Sequence, residues 1–177
     1  MALTTWDLDT VHSSVSFSVR HMVVAKTRGH FGKWSATLEI DPENFAASKV
    51  SAKIDAVSIA TNEEKRDAHL RSADFLEVEK HPNIDFKSSA FEVVSKDSLR
   101  IKGQLSIRGV TKDIVLDTEF GGLAKDLWGG ERIGFTARTK IDRKDFGLVW
   151  NQALEAGGLL VGDAVEIAIE LEASRKL

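Results

Sequence analysis

Residues 99–120 read LRIKGQLSIRGVTKDIVLDTEF, and the reading of this stretch decides the fold. Leu99, Ile101, Leu105 and Ile107 fall on alternate positions, with Arg100, Lys102, Gln104 and Ser106 between them. After Arg108-Gly109-Val110-Thr111 the alternation resumes in Ile114, Leu116 and Phe120, interleaved with Asp113, Asp117 and Glu119. Side chains along a strand point to opposite faces with period 2, so each arm has one apolar and one polar face. Gly109 in the short polar break supplies the turn that folds one arm onto the other. The stretch is a long antiparallel hairpin whose apolar side must be covered by the rest of the chain.

The flanking sequence repeats the pattern. Val15, Phe17 and Val19 alternate with Ser14, Ser16 and Ser18, and His21 continues the apolar face. After Lys26-Thr27-Arg28-Gly29, Phe31 leads into Trp34, Ala36, Leu38 and Ile40, which share a face up to the turn at Asp41-Pro42-Glu43-Asn44. Val50, Ala52 and Ile54 follow, then Ile84 and Phe86 before a phase shift at Ser88-Ser89. Beyond a Gly-rich connection, GGLAKDLWGG, Ile133, Phe135, Ala137 and Ile141 form one face. Residues 143–162 are irregular, and Val165, Ile167, Ile169 and Leu171 make a last strand.

One segment breaks the period. Thr61 and Glu64 have the spacing of a capping box, predicting a short helix to about Ser72, mostly polar and therefore at a rim. A further turn carries Phe75, Leu76 and Val78 and ends at His81-Pro82, where the helix-end position suits a histidine. The prediction is an all-β domain spanning residues 1–177, with about eight long antiparallel strands and a helical insertion around residues 62–78. Such strands hide their apolar faces by closing into an elongated eight-stranded barrel, which also removes sheet edges; a two-sheet sandwich is the competing arrangement.

Composition bounds the function. The chain has 177 residues, 42% of them hydrophobic and 29% charged, as in an ordinary soluble core-forming domain. A net charge of -3 without a Lys/Arg cluster provides no basic field for nucleic acid or for an anionic membrane surface. An aromatic-lined oligonucleotide groove would need such a field. The absence of cysteine excludes thiol catalysis and Cys-ligated metals. No integral membrane segment is predicted, because no apolar run approaches the roughly 20 residues of a membrane helix. MALTTWDLDT has neither the positive nor the apolar region of a signal peptide, so the chain as it stands reads as cytoplasmic.

The histidines and the charged residues are the candidates for chemistry. His12, His21 and His30 are nine apart, a spacing that matches no compact metal motif. His21, on an apolar face, reads as a core or tunnel-lining histidine. Ser13 beside His12 is not part of a catalytic triad, since neighbouring strand residues point to opposite faces and no acid is placed to orient the histidine. Arg66, Asp67 and His69 lie within one helical turn, and two readings stay open: a tethered solvated helix, or a head-group or proton-transfer site. Arg143 and Asp145 allow either a polar gate or a buried pair closing the barrel end. The apolar faces themselves allow either a filled core or a ligand tunnel.

Taken together, several stretches resemble the YceI-like family of polyisoprenoid-binding, lipocalin-like proteins. They are Trp6, Asp9, His12-Ser13, Val15, Phe17, His21, Gly29, Phe31, Ser58-Ile59 and Thr61. Then come Arg66-Asp67, His69-Leu70, Asp74-Phe75, His81-Pro82, Gly103, Leu105 and Ile107 through Lys112. Arg143, Asp145-Phe146-Gly147, Trp150 and Val161-Gly162-Asp163 complete the set. The resemblance implies an elongated eight-stranded barrel holding a long isoprenoid, often a quinone or its precursor, for carriage, storage or sequestration. The side chains expected to contact that lipid are Phe17, Val19, His21, Phe31, Trp34, Leu38, Ile54, Leu70, Phe75, Phe86, Leu105, Ile107, Ile133, Phe135, Phe146 and Trp150. No catalytic group, metal ligand or cofactor other than the lipid is assigned. The expected partners are the lipid and, in a homodimer, a second copy of the chain. The alternative is an enzyme acting on a lipophilic molecule, with His21, Arg66, Asp67 or His69 as acid–base groups. A filled scaffold without ligand is the third reading.

Overall fold

The computed structural model describes residues 2–155 and 157–177. Its strands are β1 (Thr4–Leu8), β2 (Ser14–His21), β3 (Ala25–Phe31), β4 (Trp34–Ile40), β5 (Lys49–Asp55) and β6 (Ile59–Ala60). They continue with β7 (Asn83–Val93), β8 (Ser98–Ile107), β9 (Val110–Lys125), β10 (Glu131–Asp142) and β11 (Val161–Arg175). One helix, α1 (Glu64–Arg71), lies between β6 and β7. β1, β4, β5, β7, β8, β9, β10 and β11 form a closed antiparallel ring, sealed where β1 pairs with both β4 and β11. The ring removes every edge among these strands and rules out the sandwich.

The hairpin at the centre of the sequence is β8–β9. Leu99 through Ile107 pair with Thr118 through Val110 without a shift. Ile107 faces Val110 across a two-residue turn in which Arg108 and Gly109 have φ of 50° and 74°. Paired positive φ values match the right-handed twist of the strands and suit glycine at the second position. The phase change at Ser88-Ser89 is a register shift of β7 against β8 between Ser88 and Ala90.

Several parts differ from expectation. β1 and β3 are strands that alternation did not mark. β1 is recruited because Trp6, only 1% exposed, fills the barrel floor while its indole Nε1 donates to Ile40 O at 3.1 Å. The Gly-rich connection is shorter than expected, because β9 runs on through Gly121-Gly122 with a shift opposite Gly134 and Phe135. The capping box is not formed either. Glu63 caps α1, accepting from the Lys65 and Arg66 amides, while Thr61 is drawn to Asp67. His81 likewise ends a turn rather than a helix, its amide donating to Glu77 O at 2.9 Å.

The register gives the barrel two unlike ends. At the floor, Phe45 of a 3-10 turn stands 5.1 Å from Phe120 and 6.1 Å from Phe135, and those two are 5.2 Å apart, centroid to centroid. These three rings and Trp6 form a plug against Leu38, Ile40, Leu99 and Ala173. At the other end β11 leaves β1 and pairs through its first half with β2, so that β2, β3 and β6 continue the sheet and extend the wall on that side. His12 and Ser13 fall between β1 and β2 rather than on a strand, and Asp9, contrary to the expectation that no acid orients His12, contacts that ring and secures the branch point. Its carboxylate accepts from the Val11 and His12 amides, contacts His12 Nδ1 at 2.9 Å and accepts from Arg132 at 2.9 Å. Arg132 also reaches Glu172 at 2.9 Å, tying the corner to β11.

Candidate functional site

The inward phase of the strands encloses a cavity of about 550 Å³ that runs from the aromatic floor to the open end. It is a cavity rather than a filled core because the inward positions include Ala36, Ala52 and Ala137, whose side chains cannot reach across the ring. The wall between floor and mouth is almost entirely aliphatic and aromatic, including Ile101, Leu116, Ile167 and Ile169. Water gains few hydrogen bonds in such a space, which instead suits an apolar guest.

Fourteen of the sixteen expected contact residues line this cavity. Phe17, Val19 and His21 come from β2, Phe31 from β3, and Trp34 and Leu38 from β4. Ile54 comes from β5, Phe86 from β7, Leu105 and Ile107 from β8, and Phe135 from β10. Leu70, Phe75 and Trp150 approach from α1 and the loops. Ile133 and Phe146 are both 1% exposed but stand outside the wall. Ile133 lies beneath the cavity in the floor cluster, where β10 pairs it with Ala173. Phe146 sits in the 3-10 turn after β10, where strand alternation no longer directs side chains, and packs in the cluster of Ile107 and Leu148.

The mouth is built by α1, the turn after it, the β2–β3 tip and the loop between Leu148 and Val161. Asp67, buried at the start of α1, accepts from the Thr61 amide at 2.9 Å and the Thr61 hydroxyl at 2.5 Å. Arg66 donates to Thr61 Oγ1 and Thr61 O, both at 2.7 Å. These bonds fasten the helix to the end of β6, and Arg71 adds donations to Val57 O and Ile59 O. A buried polar group without a partner costs about 1–3 kcal/mol, so this cluster holds the helix in one place. Arg66 and Asp67 therefore serve as a tether. Arg108, from the β8–β9 turn, similarly clamps Phe75 O at 2.8 Å and Glu77 at 3.2 Å.

Arg143 organises the opposite side of the mouth. It is 3% exposed and donates to the carbonyls of Gly162, Leu148, Trp150 and Val161. Its neighbouring carboxylate is Asp163 at 3.8 Å, in place of the expected Asp145. Burial lowers its pKa from the ordinary arginine value, and Asp163 acts the other way. Backbone acceptors carry no side-chain signature, so this role could not be read from sequence.

Between the two sides stands an aromatic gate. His69 of α1 is 5.0 Å from Phe75 and 4.6 Å from Trp150, both edge-on, and Phe75 and Trp150 are 5.4 Å apart. His69 Nε2 is also 2.8 Å from Asp74 Oδ2, which fixes the ring across the opening. Arg20, Lys65 and Arg66 add positive charge at the rim, and no carboxylate is among the cavity-lining residues described. Elsewhere, Asp9, His12 and Glu172 come close enough for a metal, but Arg132 already supplies the positive charge between Asp9 and Glu172. No helix among the described residues is long and apolar enough to cross a membrane.

Residues 6–173 match the family model of the YceI-like domain. A UPF0312 protein of Vibrio cholerae is 41% identical over 144 residues, covering 80% of this chain and 75% of its own length. The crystal structure of Burkholderia cenocepacia BcnA superposes with a TM-score of 0.82 at 24% identity, covering 94% of this chain and 99% of BcnA. A Saccharophagus degradans domain, described as polyisoprenoid binding and implicated in plant cell wall breakdown, shares the fold at a TM-score of 0.69 and 16% identity. It covers 99% of this chain and is itself covered over its whole length, 100%.

Proposed function

This chain belongs to the YceI-like family, and from that premise we propose that it binds a long-chain polyisoprenoid, an isoprenoid quinone or its precursor, inside the barrel. The observation that carries the reading is the continuous apolar cavity from the Phe45–Phe120–Phe135 floor to the His69–Phe75–Trp150 gate. Burial of hydrocarbon is worth about 0.8 kcal/mol per CH₂. A few isoprene units therefore outweigh several kcal/mol of association and ordering cost. Binding of this kind asks for shape and apolar area, with polar contacts confined to one end. The site supplies that distribution, since its charged wall residues, Arg20, Lys65, Arg66 and Arg143, stand at the mouth.

Carriage, storage or sequestration suits the site better than catalysis. Three of the four groups open to acid–base work hold the mouth together: Asp67 and Arg66 bind Thr61, and His69 binds Asp74, while the fourth, His21, lines the cavity at the end of β2. The polyisoprenoid-binding neighbour from Saccharophagus supports the capacity of this fold for such a guest and leaves this chain's ligand to experiment. The test is native mass spectrometry of the purified protein with organic extraction of the bound fraction. A stoichiometric isoprenoid lipid is expected. Protein that carries none, and takes up none from detergent-dispersed ubiquinone, refutes the reading.

A further inference from the structure

A lipid held in a closed barrel has to pass between the barrel and a membrane, and the mouth carries a surface that no step of the binding argument uses. The tip joining β2 to β3 is Met22-Val23-Val24, with Val23 61% and Val24 85% exposed. Met22 and Val23 adopt φ of 52° and 68°, a conformation that suits glycine or asparagine and is rare for a β-branched residue. The position thus holds aliphatic side chains in water, on a turn for which Asn-Gly would be both soluble and unstrained.

The tip does not stand alone. The Met22 amide donates to Leu160 O at 2.9 Å, and a Cβ on Gly158 would lie 3.4 Å from Val23 Cγ2. The tip is therefore seated on the loop that carries Trp150 of the gate. That loop exposes Val149, at 63%, and Leu159. Contiguous apolar exposure of this kind marks an interaction site. The basic cluster that is missing from the linear sequence is assembled by the fold, since Arg20, Lys65 and Arg66 border the same opening. Apolar side chains beside rim cations are the combination by which a protein sits on an anionic membrane interface.

We propose that the Met22–Val24 tip, with Val149 and Leu159, docks the barrel mouth-down on a phospholipid bilayer bearing anionic headgroups, so that the gate opens toward the acyl region. The proposal rests on the lipid-binding reading, and its test is separable from it. A second exposed apolar pair, Leu127-Trp128, provides the control: it lies in the β9–β10 connection at the floor end, away from the cavity mouth.

The experiment is vesicle co-sedimentation of the full chain with phosphatidylcholine alone and with an equimolar phosphatidylcholine–phosphatidylglycerol mixture. Bound isoprenoid is measured on the same preparations by mass spectrometry, and folding by circular dichroism. Wild type should prefer the anionic vesicles. Val23→Ser/Val24→Ser should weaken partition about tenfold, as expected when several methyl groups no longer leave water. Leu127→Ser/Trp128→Ser should bind like wild type, and Arg20→Gln/Lys65→Gln should lose the preference for phosphatidylglycerol. Unchanged binding of the folded Val23→Ser/Val24→Ser protein overturns the proposal, as does loss of binding in the Leu127→Ser/Trp128→Ser protein. Failure of wild type to bind either vesicle, with dimerisation abolished by Val23→Ser/Val24→Ser, also overturns it and assigns the patch to self-association. In each case the isoprenoid measurement reports separately on the cavity.

Discussion

Replacement of Ala137 by leucine gives opposite results for an open cavity and for a packed core. Ala137 faces the cavity from the middle of β10, between Phe135 and Thr139, and its own surface is buried from bulk water. Leucine adds three carbons, and at about 0.8 kcal/mol each their burial is worth at most about 2.4 kcal/mol. Lost rotamer freedom of the leucine removes about 0.5–1 kcal/mol, leaving about 1.5 kcal/mol of added stability. For a chain of this size about 2–4 °C accompanies each kcal/mol, so Tm of the delipidated protein should rise by about 3–6 °C. The same side chain would occupy space meant for the guest, so isoprenoid uptake should fall. In a close-packed interior the added carbons would instead force strain, costing about 1–3 kcal/mol and lowering Tm. Differential scanning calorimetry and lipid extraction must both use delipidated protein, because bound ligand raises apparent stability by mass action. A lowered Tm with unchanged lipid uptake would refute the cavity argument.

Two further perturbations test other parts of the structure. A Cβ on Gly29 would lie 2.4 Å from Phe17 Cζ, whereas one on Gly103 would lie 2.5 Å from the Lys87 carbonyl oxygen. The Phe17 ring can yield into the cavity, the tethered Thr61 methyl 2.9 Å from the same Cβ yields less, and a paired strand backbone cannot yield, so Gly29→Ala should cost about 2 kcal/mol and obstruct uptake, and Gly103→Ala about 3 kcal/mol or more; chemical denaturation showing the reverse order would contradict the assigned packing. Asp9 is held down to about 2 from its ordinary 3.8, first by the hydrogen bond with His12 and then by Arg132, and His12 is raised from 6.5, first by Asp9. The Asp9 contribution is present above 3.8 and lost as pH falls toward 2, while that of His12 is present below 6.5 and lost as pH rises through its raised value. The Tm advantage of wild type over Asp9→Asn should therefore be greatest between these limits and shrink on both sides, and a difference independent of pH would remove the corner network from the stability account.

Much of the barrel was legible because strand alternation is a local property. Leu105 and Ile107 on one phase, and Arg100 and Lys102 on the other, settle which side of β8 faces inward without reference to any neighbour. The Arg108-Gly109 break and the slip at Ser88-Ser89 were equally visible, since turns and bulges are written in consecutive residues. The same alternation placed ten of the expected residues in the cavity wall, from Phe17 on β2 to Phe135 on β10, while Phe31, Leu70, Phe75 and Trp150 reach it from segments that alternation did not mark. It failed for Phe146, where the strand had ended, and for Ile133, which keeps the right phase but lies in the floor cluster rather than the wall. Depth along the barrel depends on the register of neighbouring strands, and phase alone does not encode it.

What tertiary structure alone decided depends on sums over distant strands. β3, reading AKTRGHF, has little alternation and becomes a strand because Phe17 lies against Gly29 and β2 supplies its hydrogen bonds. β1 is placed by the room that β4 and β11 leave for Trp6. Whether inward faces fill a core or enclose a space depends on side-chain volume added around the ring, where Ala36, Ala52 and Ala137 come from separate strands. Arg143 stands isolated in the sequence and meets four backbone carbonyls in the fold. The sequence by itself determined which residues face inward, because that follows from the period of one strand; closure, the cavity and its gated mouth were decided only when the strands met, because volume and hydrogen-bond partners belong to the assembled barrel.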